Sequence, residues 1–119
     1  MTTERFDLLP GALEMMVLKT LTEGARHGYA IVRTIQERCC DALRIEEGTL
    51  YPALHRMESR GWIRANWGLS DSNRKAKFYE LTPAGRKELG QRMESWARFT
   101  GAVSQVMGST EPGSVALPA

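Results

Sequence analysis

"GTLYPALHRMESRGW", residues 48–62, decides how this chain folds. At 100° per residue, Leu50, Leu54 and Met57 fall within about 60° of one another, with Ala53 beside them. That stripe predicts a helix over about 47–60 that packs by one face. Its opposite face carries Pro52, His55 and Ser59, with Tyr51 on one flank and Thr49 and Arg56 on the other. Gly61 supplies the stop. Pro52 fits only within or just past the first turn, where backbone N–H groups have no partner inside the helix. The result is a short helix with a stiffened start and an exposed face that is polar and cationic.

Beyond Gly61 the period changes. "WIRANW" (62–67) sets Trp62, Arg64 and Asn66 apart from Ile63, Ala65 and Trp67. "KAKFYEL" (75–81) sets Lys75, Lys77, Tyr79 and Leu81 apart from Ala76, Phe78 and Glu80. Alternation of this kind reads as two strands. "GLSDSNR" (68–74) between them has the residues of a turn. The pair is a hairpin with Arg74, Lys75 and Lys77 at its far end. Tyr79 shares a face with Lys77 and reads as packing.

Upstream, "PGALEMMVLKTLTEG" (10–24) places Leu13, Met16, Val17 and Leu21 on one helical stripe, with Pro10 at its start and Gly24 at its end. "HGYAIVRTIQERCC" (27–40) opens a second helix at Gly28, with Ile31, Ile35 and Cys39 on one face and Tyr29 near its N-terminus. "CCDALRIEEG" is a connector anchored by Leu43 and Ile45. Downstream, Thr82 is a good N-cap and Pro83 a good first residue for a fourth helix reaching about Met107. Along it Leu89, Met93, Trp96, Phe99 or Thr100, Val103, and Val106 or Met107 recur as in a heptad seam. A small domain does not readily cover so long a stripe, so a partner helix is expected. "GSTEPGSVALPA", from Gly108, is expected to be a tail.

Three helices, a hairpin and a long helix follow the order of a winged helix-turn-helix. The fold class is mostly α with a small β-hairpin: residues 8–82 as the DNA-binding domain, 83–107 as a dimerisation helix and 108–119 as a flexible tail. The third helix of such a fold enters the major groove, which admits one helix. The hairpin, or wing, over 68–77, lies on the adjacent backbone.

Charge is distributed accordingly. The whole chain has 119 residues and a formal net charge of +2. Residues 1–54 carry 6 basic and 8 acidic side chains; residues 55–77 carry 6 basic and 2 acidic; residues 78–119 carry 4 of each. The excess of positive charge sits in the outer half of the third helix and the wing, a footprint expected for nucleic acid. A solvated basic hairpin is the plainer reading of the same charges.

Other classes fare worse. No apolar run approaches a membrane span, and the N-terminus lacks a secretory layout, so a cytoplasmic location is expected. Cys39 and Cys40 are adjacent and an ordinary disulfide between them is not expected. Packing accounts for them better than redox sensing. With His27 and His55 as the only histidines, no metal-ligand spacing appears, and no cofactor is expected. No paired nucleophile and base or phosphate-cradling glycine loop points to an enzyme. A winged helix used for protein contact, without DNA, is the rival reading.

"HGYAI", "GTLYPALHRMESRGWI", "NRKAKFYELTPAGRKEL" and the apolar helix after them resemble the PadR family of bacterial transcriptional regulators over residues 8–107. The short chain resembles its smaller subgroup. The resemblance implies a homodimer in which the C-terminal helix meets the partner, and a repressor of palindromic operators. It also implies that a small aromatic effector can release DNA by lodging between subunits, with Trp96 where such a ligand would stack; core packing of Trp96 is the alternative. It carries the DNA-binding role to Tyr29, Thr49, Tyr51, Pro52, His55 and Arg56, and in the wing to Asn73, Arg74, Lys75 and Lys77. Tyr51 could instead pack on the second helix, and His55 could be an ordinary surface histidine. The implied dimer contacts are Leu89, Met93, Trp96, Thr100, Val103 and Met107.

Overall fold

A computed structural model describes residues 4–108 of the chain. Along it run α1 (Ala12–Leu21), β1 (Arg26–His27), α2 (Gly28–Arg38), α3 (Glu47–Ser59), β2 (Ile63–Leu69), β3 (Lys75–Leu81) and α4 (Pro83–Met107). Among the described residues, those up to Leu89 form one compact unit and those from Gly90 another, with α4 beginning in the first. Apart from Gly108, the expected tail lies outside the described residues.

The core of the first unit is built from the stripes that the periodicity marks. Leu13, Val17, Leu18 and Leu21 of α1 meet Ile31 and Ile35 of α2 and Leu50, Ala53, Leu54 and Met57 of α3. Ile63, Tyr79 and Leu89 complete the cluster. Tyr79 is buried, as its packing role requires, and that burial pushes its phenol above the ordinary range. Met16 and Cys39, expected on the buried stripes, are only partly covered.

Helix ends follow backbone chemistry. α1 begins after Gly11, whose φ of 80° is left-handed, so Pro10 precedes the helix rather than opening it. α3 closes in a Schellman turn: the Trp62 N–H donates to the Met57 carbonyl and the Gly61 N–H to that of Glu58, both at 3.0 Å. Gly61 takes φ 78° to do so. α2 closes the same way, Asp41 N–H to Gln36 O at 2.8 Å and Cys40 N–H to Glu37 O at 3.4 Å. Here Cys40 stands where glycine is usual, at φ 52°. This is the place of the second cysteine: exposed, at a helix end.

The sheet departs from the sequence expectation in two ways. The hairpin is part of a three-stranded antiparallel sheet in the order β1-β3-β2, because Arg26 and His27 pair with Tyr79 and Phe78. A strand of two residues is too short to show alternation. The wing turn is also shorter, since β2 runs on to Leu69 and pairs with Lys75. Gly68, expected in the turn, lies opposite Ala76 within the ladder. A Cβ there would stand 3.2 Å from the Phe78 ring, so the glycine makes room for an aromatic side chain.

Candidate nucleic-acid interface

α3 exposes the face its sequence marks. Thr49, Tyr51, Pro52, His55 and Arg56 are all exposed, while Leu50, Ala53, Leu54 and Met57 are buried. Pro52 is the sixth residue of the helix, just past its first turn. Lacking an N–H, it cannot bond the Gly48 carbonyl four residues back.

Each aromatic and cation on this surface has a defined setting. The Tyr51 ring covers the start of α2, close enough that a Cβ on Gly28 would lie 2.8 Å from its hydroxyl oxygen. It is still 46% exposed, so it packs on α2 and presents an edge outward at once. Arg56 reaches Glu14 of α1 at 3.7 Å. In the wing, Lys77 donates to the Glu58 carboxylate of α3 at 3.2 Å, which ties the strand to the helix. Arg74 and Lys75 have no carboxylate partner among the described residues. Of the three wing cations, these two are not held by a carboxylate. Asn73 closes the turn in the left-handed region, φ 60°, where asparagine is tolerated, and its N–H donates to the Ser70 carbonyl at 2.8 Å. Its position is thus explained by backbone geometry.

Tyr29 is two-thirds exposed at the first turn of α2. His27 caps that helix, its Nδ1 accepting from the Ala30 N–H at 3.2 Å. Its ring lies edge-on to Phe78, centroids 5.3 Å apart, so cap, strand and wing are fastened together. A groove of about 550 Å³ runs between the α2 N-terminus and the wing. Tyr29, Arg33, Tyr51, Trp67, Lys75 and Lys77 are among its walls. Sequence reading singled out four of these six; Arg33 and Trp67 were missed. The available signal was the phase of β2, which puts Trp67 on the strand face of Ala65, opposite Lys77.

Gly28 provides a test of how Tyr51 is set. Gly28→Ala should push the ring aside rather than disrupt the fold, because the clash is with the far end of a flexible side chain. Melting temperature should stay within a few degrees, while duplex affinity falls several-fold. Unchanged affinity would show that the position of Tyr51 is irrelevant to binding.

In the second unit the apolar positions of α4 are largely open to solvent. Met93, Trp96, Phe99 and Val103 are between 40% and 54% exposed, and Met107 is 68% exposed. Trp96 and Phe99 lie together, ring centroids 6.1 Å apart. Thr100 is half-buried and turns its hydroxyl to the Trp96 carbonyl at 3.0 Å. Leu89 differs from the rest of this row: it lies in the core of the first unit. Among the described residues no cluster of His, Cys, Asp or Glu could hold a metal ion. Among the described residues no helix is long and apolar enough to cross a membrane.

A helix with an exposed polar face, preceded by two packed helices and followed by a basic wing, defines a winged helix-turn-helix of the DNA-binding class. Known proteins agree. The sequence model of the transcriptional regulator PadR-like family matches residues 17–91. An uncharacterized protein of Lysinibacillus sphaericus is 30% identical over 107 residues, 90% of this chain and 98% of that one. A transcriptional regulator of Mycobacterium tuberculosis is 33% identical over 78 residues, 66% of this chain and 69% of that one. The crystal structure of a PadR family transcription regulator from Clostridium difficile superposes with a TM-score of 0.72 at 28% identity, covering 82% of this chain and all of that one. The chain belongs to the PadR-like family of transcriptional regulators, proteins that act by binding DNA and not as enzymes.

Proposed function

We propose that this chain is a homodimeric, cytoplasmic repressor that binds a palindromic operator, with α3 in the major groove and the wing on the neighbouring backbone. The observation that carries the reading is the combined surface: Tyr51 of the exposed α3 face lines one groove with Lys75 of the wing, and neither Lys75 nor the adjacent Arg74 has a carboxylate partner among the described residues. In this reading Arg56 and the wing cations meet phosphates, while Thr49, Tyr51 and His55 approach bases or the sugar edge. Residues 8–82 bind DNA and α4 mediates dimerisation. Met93, Trp96, Thr100, Val103 and Met107 face the partner helix, and Leu89 anchors the seam to the domain. The paired rings of Trp96 and Phe99 supply a surface on which a small aromatic effector stacks to release DNA.

The test is binding to the DNA upstream of its own gene, against a scrambled duplex, at several salt concentrations. Selective binding that weakens steeply with salt is expected. Weak and equal binding to both duplexes counts against an operator at that place, and absence of any salt-dependent binding favours a protein-contact module. Within a selective complex, Thr49→Ala or His55→Ala should change preference among sequences by about 1–3 kcal/mol for each base that is no longer read. A uniform weakening on all sequences would make these side chains positioning groups.

A further inference from the structure

Trp67 is a large aromatic side chain left 65% exposed, and Leu69, two residues on, is 66% exposed. Both lie on the strand face that begins with buried Ile63 and half-buried Ala65. That face continues outward past the core. Across the ladder Trp67 pairs with Lys77 and Leu69 with Lys75, so aromatic, aliphatic and two ammonium groups share one surface. The Lys75 ammonium lies 5.2 Å from the centre of the indole, a cation–π contact that holds the ring on this surface. The ring also walls the groove that Tyr51 of α3 walls. A wing ribbon has nothing of its own with which to cover such a patch.

We propose that Trp67, with Leu69 beside it, is an apolar contact of the wing to the deoxyribose walls of the DNA minor groove, flanked by phosphate-binding lysines. The inference rests on the DNA-binding reading above and extends it to a residue that acts without charge. When α3 occupies a major groove, the wing beside it crosses one backbone to the neighbouring minor groove. That groove is about 6 Å wide, its walls are sugars, and proteins that enter it often do so with apolar side chains. Lys75 neutralises phosphate on its rim, and Lys77 does so only in part, since it must exchange Glu58 for a phosphate. The match is an apolar centre for the sugars and cations for the phosphates.

The distinction between an apolar and an ionic contact gives the test. Trp67→Ala should weaken binding to a generic duplex about tenfold, a loss of roughly 1.4 kcal/mol, and leave the salt slope unchanged. Arg74→Ala, measured alongside, should lower the slope by about one unit. Trp67→Phe should retain most of the affinity. Mass in solution and melting temperature of both Trp67 variants should match the wild type. Affinity within twofold of wild type for Trp67→Ala, a slope that falls with it, or an altered oligomeric state would each overturn the proposal. Absence of salt-dependent duplex binding by the wild type would overturn the DNA-binding reading itself, so the two failures are distinct.

Discussion

Gly85→Ala is expected to cost at least about 3 kcal/mol, the upper end of what overpacking usually takes, and to lower the melting temperature by about 12–24 °C. A Cβ at this position would lie 1.9 Å from the carbonyl oxygen of Trp62 and 2.8 Å from its carbonyl carbon. Both are backbone atoms, and neither can rotate away. The Trp62 carbonyl also accepts from the Thr82 N–H at 3.1 Å. Thr82 in turn caps α4, its hydroxyl oxygen accepting from the Gly85 N–H at 3.0 Å while the hydroxyl donates to the Gly61 carbonyl. The added methyl would therefore separate the end of α3 and the start of β2 from the first turn of α4. Glycine inside a helix costs roughly 1 kcal/mol relative to alanine in propensity, so an exposed site would show the opposite sign. Gly90, with nothing within 4 Å of its Cβ position, is such a site. Thermal melting of the two variants side by side decides the matter. An unaltered Gly85→Ala protein would mean that α4 does not dock where described.

Replacing Arg74, Lys75 and Lys77 together by alanine should have the largest effect on DNA binding. Each phosphate contact contributes about 0.9 to the slope of log affinity against log salt, which at 0.15 M salt corresponds to about fivefold in affinity. Three full contacts would give about a hundredfold weakening and a slope lower by nearly three. Lys77 starts from a salt bridge to Glu58, however, and must exchange that partner to reach a phosphate. The expected slope change is therefore nearer two than three, with Arg74→Ala alone accounting for one. Lys77→Ala should instead loosen the wing from α3. Salt titrations of the single and triple variants separate these contributions, and a full unit of slope from Lys77 alone would contradict the account. Melting temperature should change little for Arg74→Ala, since that side chain is exposed and unpaired with any carboxylate among the described residues.

Much of this protein follows from local rules acting on the sequence alone. Helix periodicity marks the buried stripes of α1, α2 and α3, because a side chain's face is set by its place in a 3.6-residue turn. Gly61 and Thr82 mark helix ends, because left-handed backbone and N-cap bonds favour those residue types. Strand alternation marks the hairpin, and the charge totals mark its basic character. Tertiary structure decided what depends on residues distant in the chain. β1 exists because β3 offers an edge to two residues. Gly68 is in a strand and not a turn because its backbone pairs opposite Ala76, where the Phe78 ring fills the space a side chain would take. Gly85 has no room for a side chain because of a carbonyl 23 positions earlier in the chain. The candidate DNA surface divides along the same line. Which side chains of α3 face outward was legible from spacing. Which cations are already engaged, Arg56 by Glu14 and Lys77 by Glu58, was not, because an ion pair depends on where the fold brings two charges together.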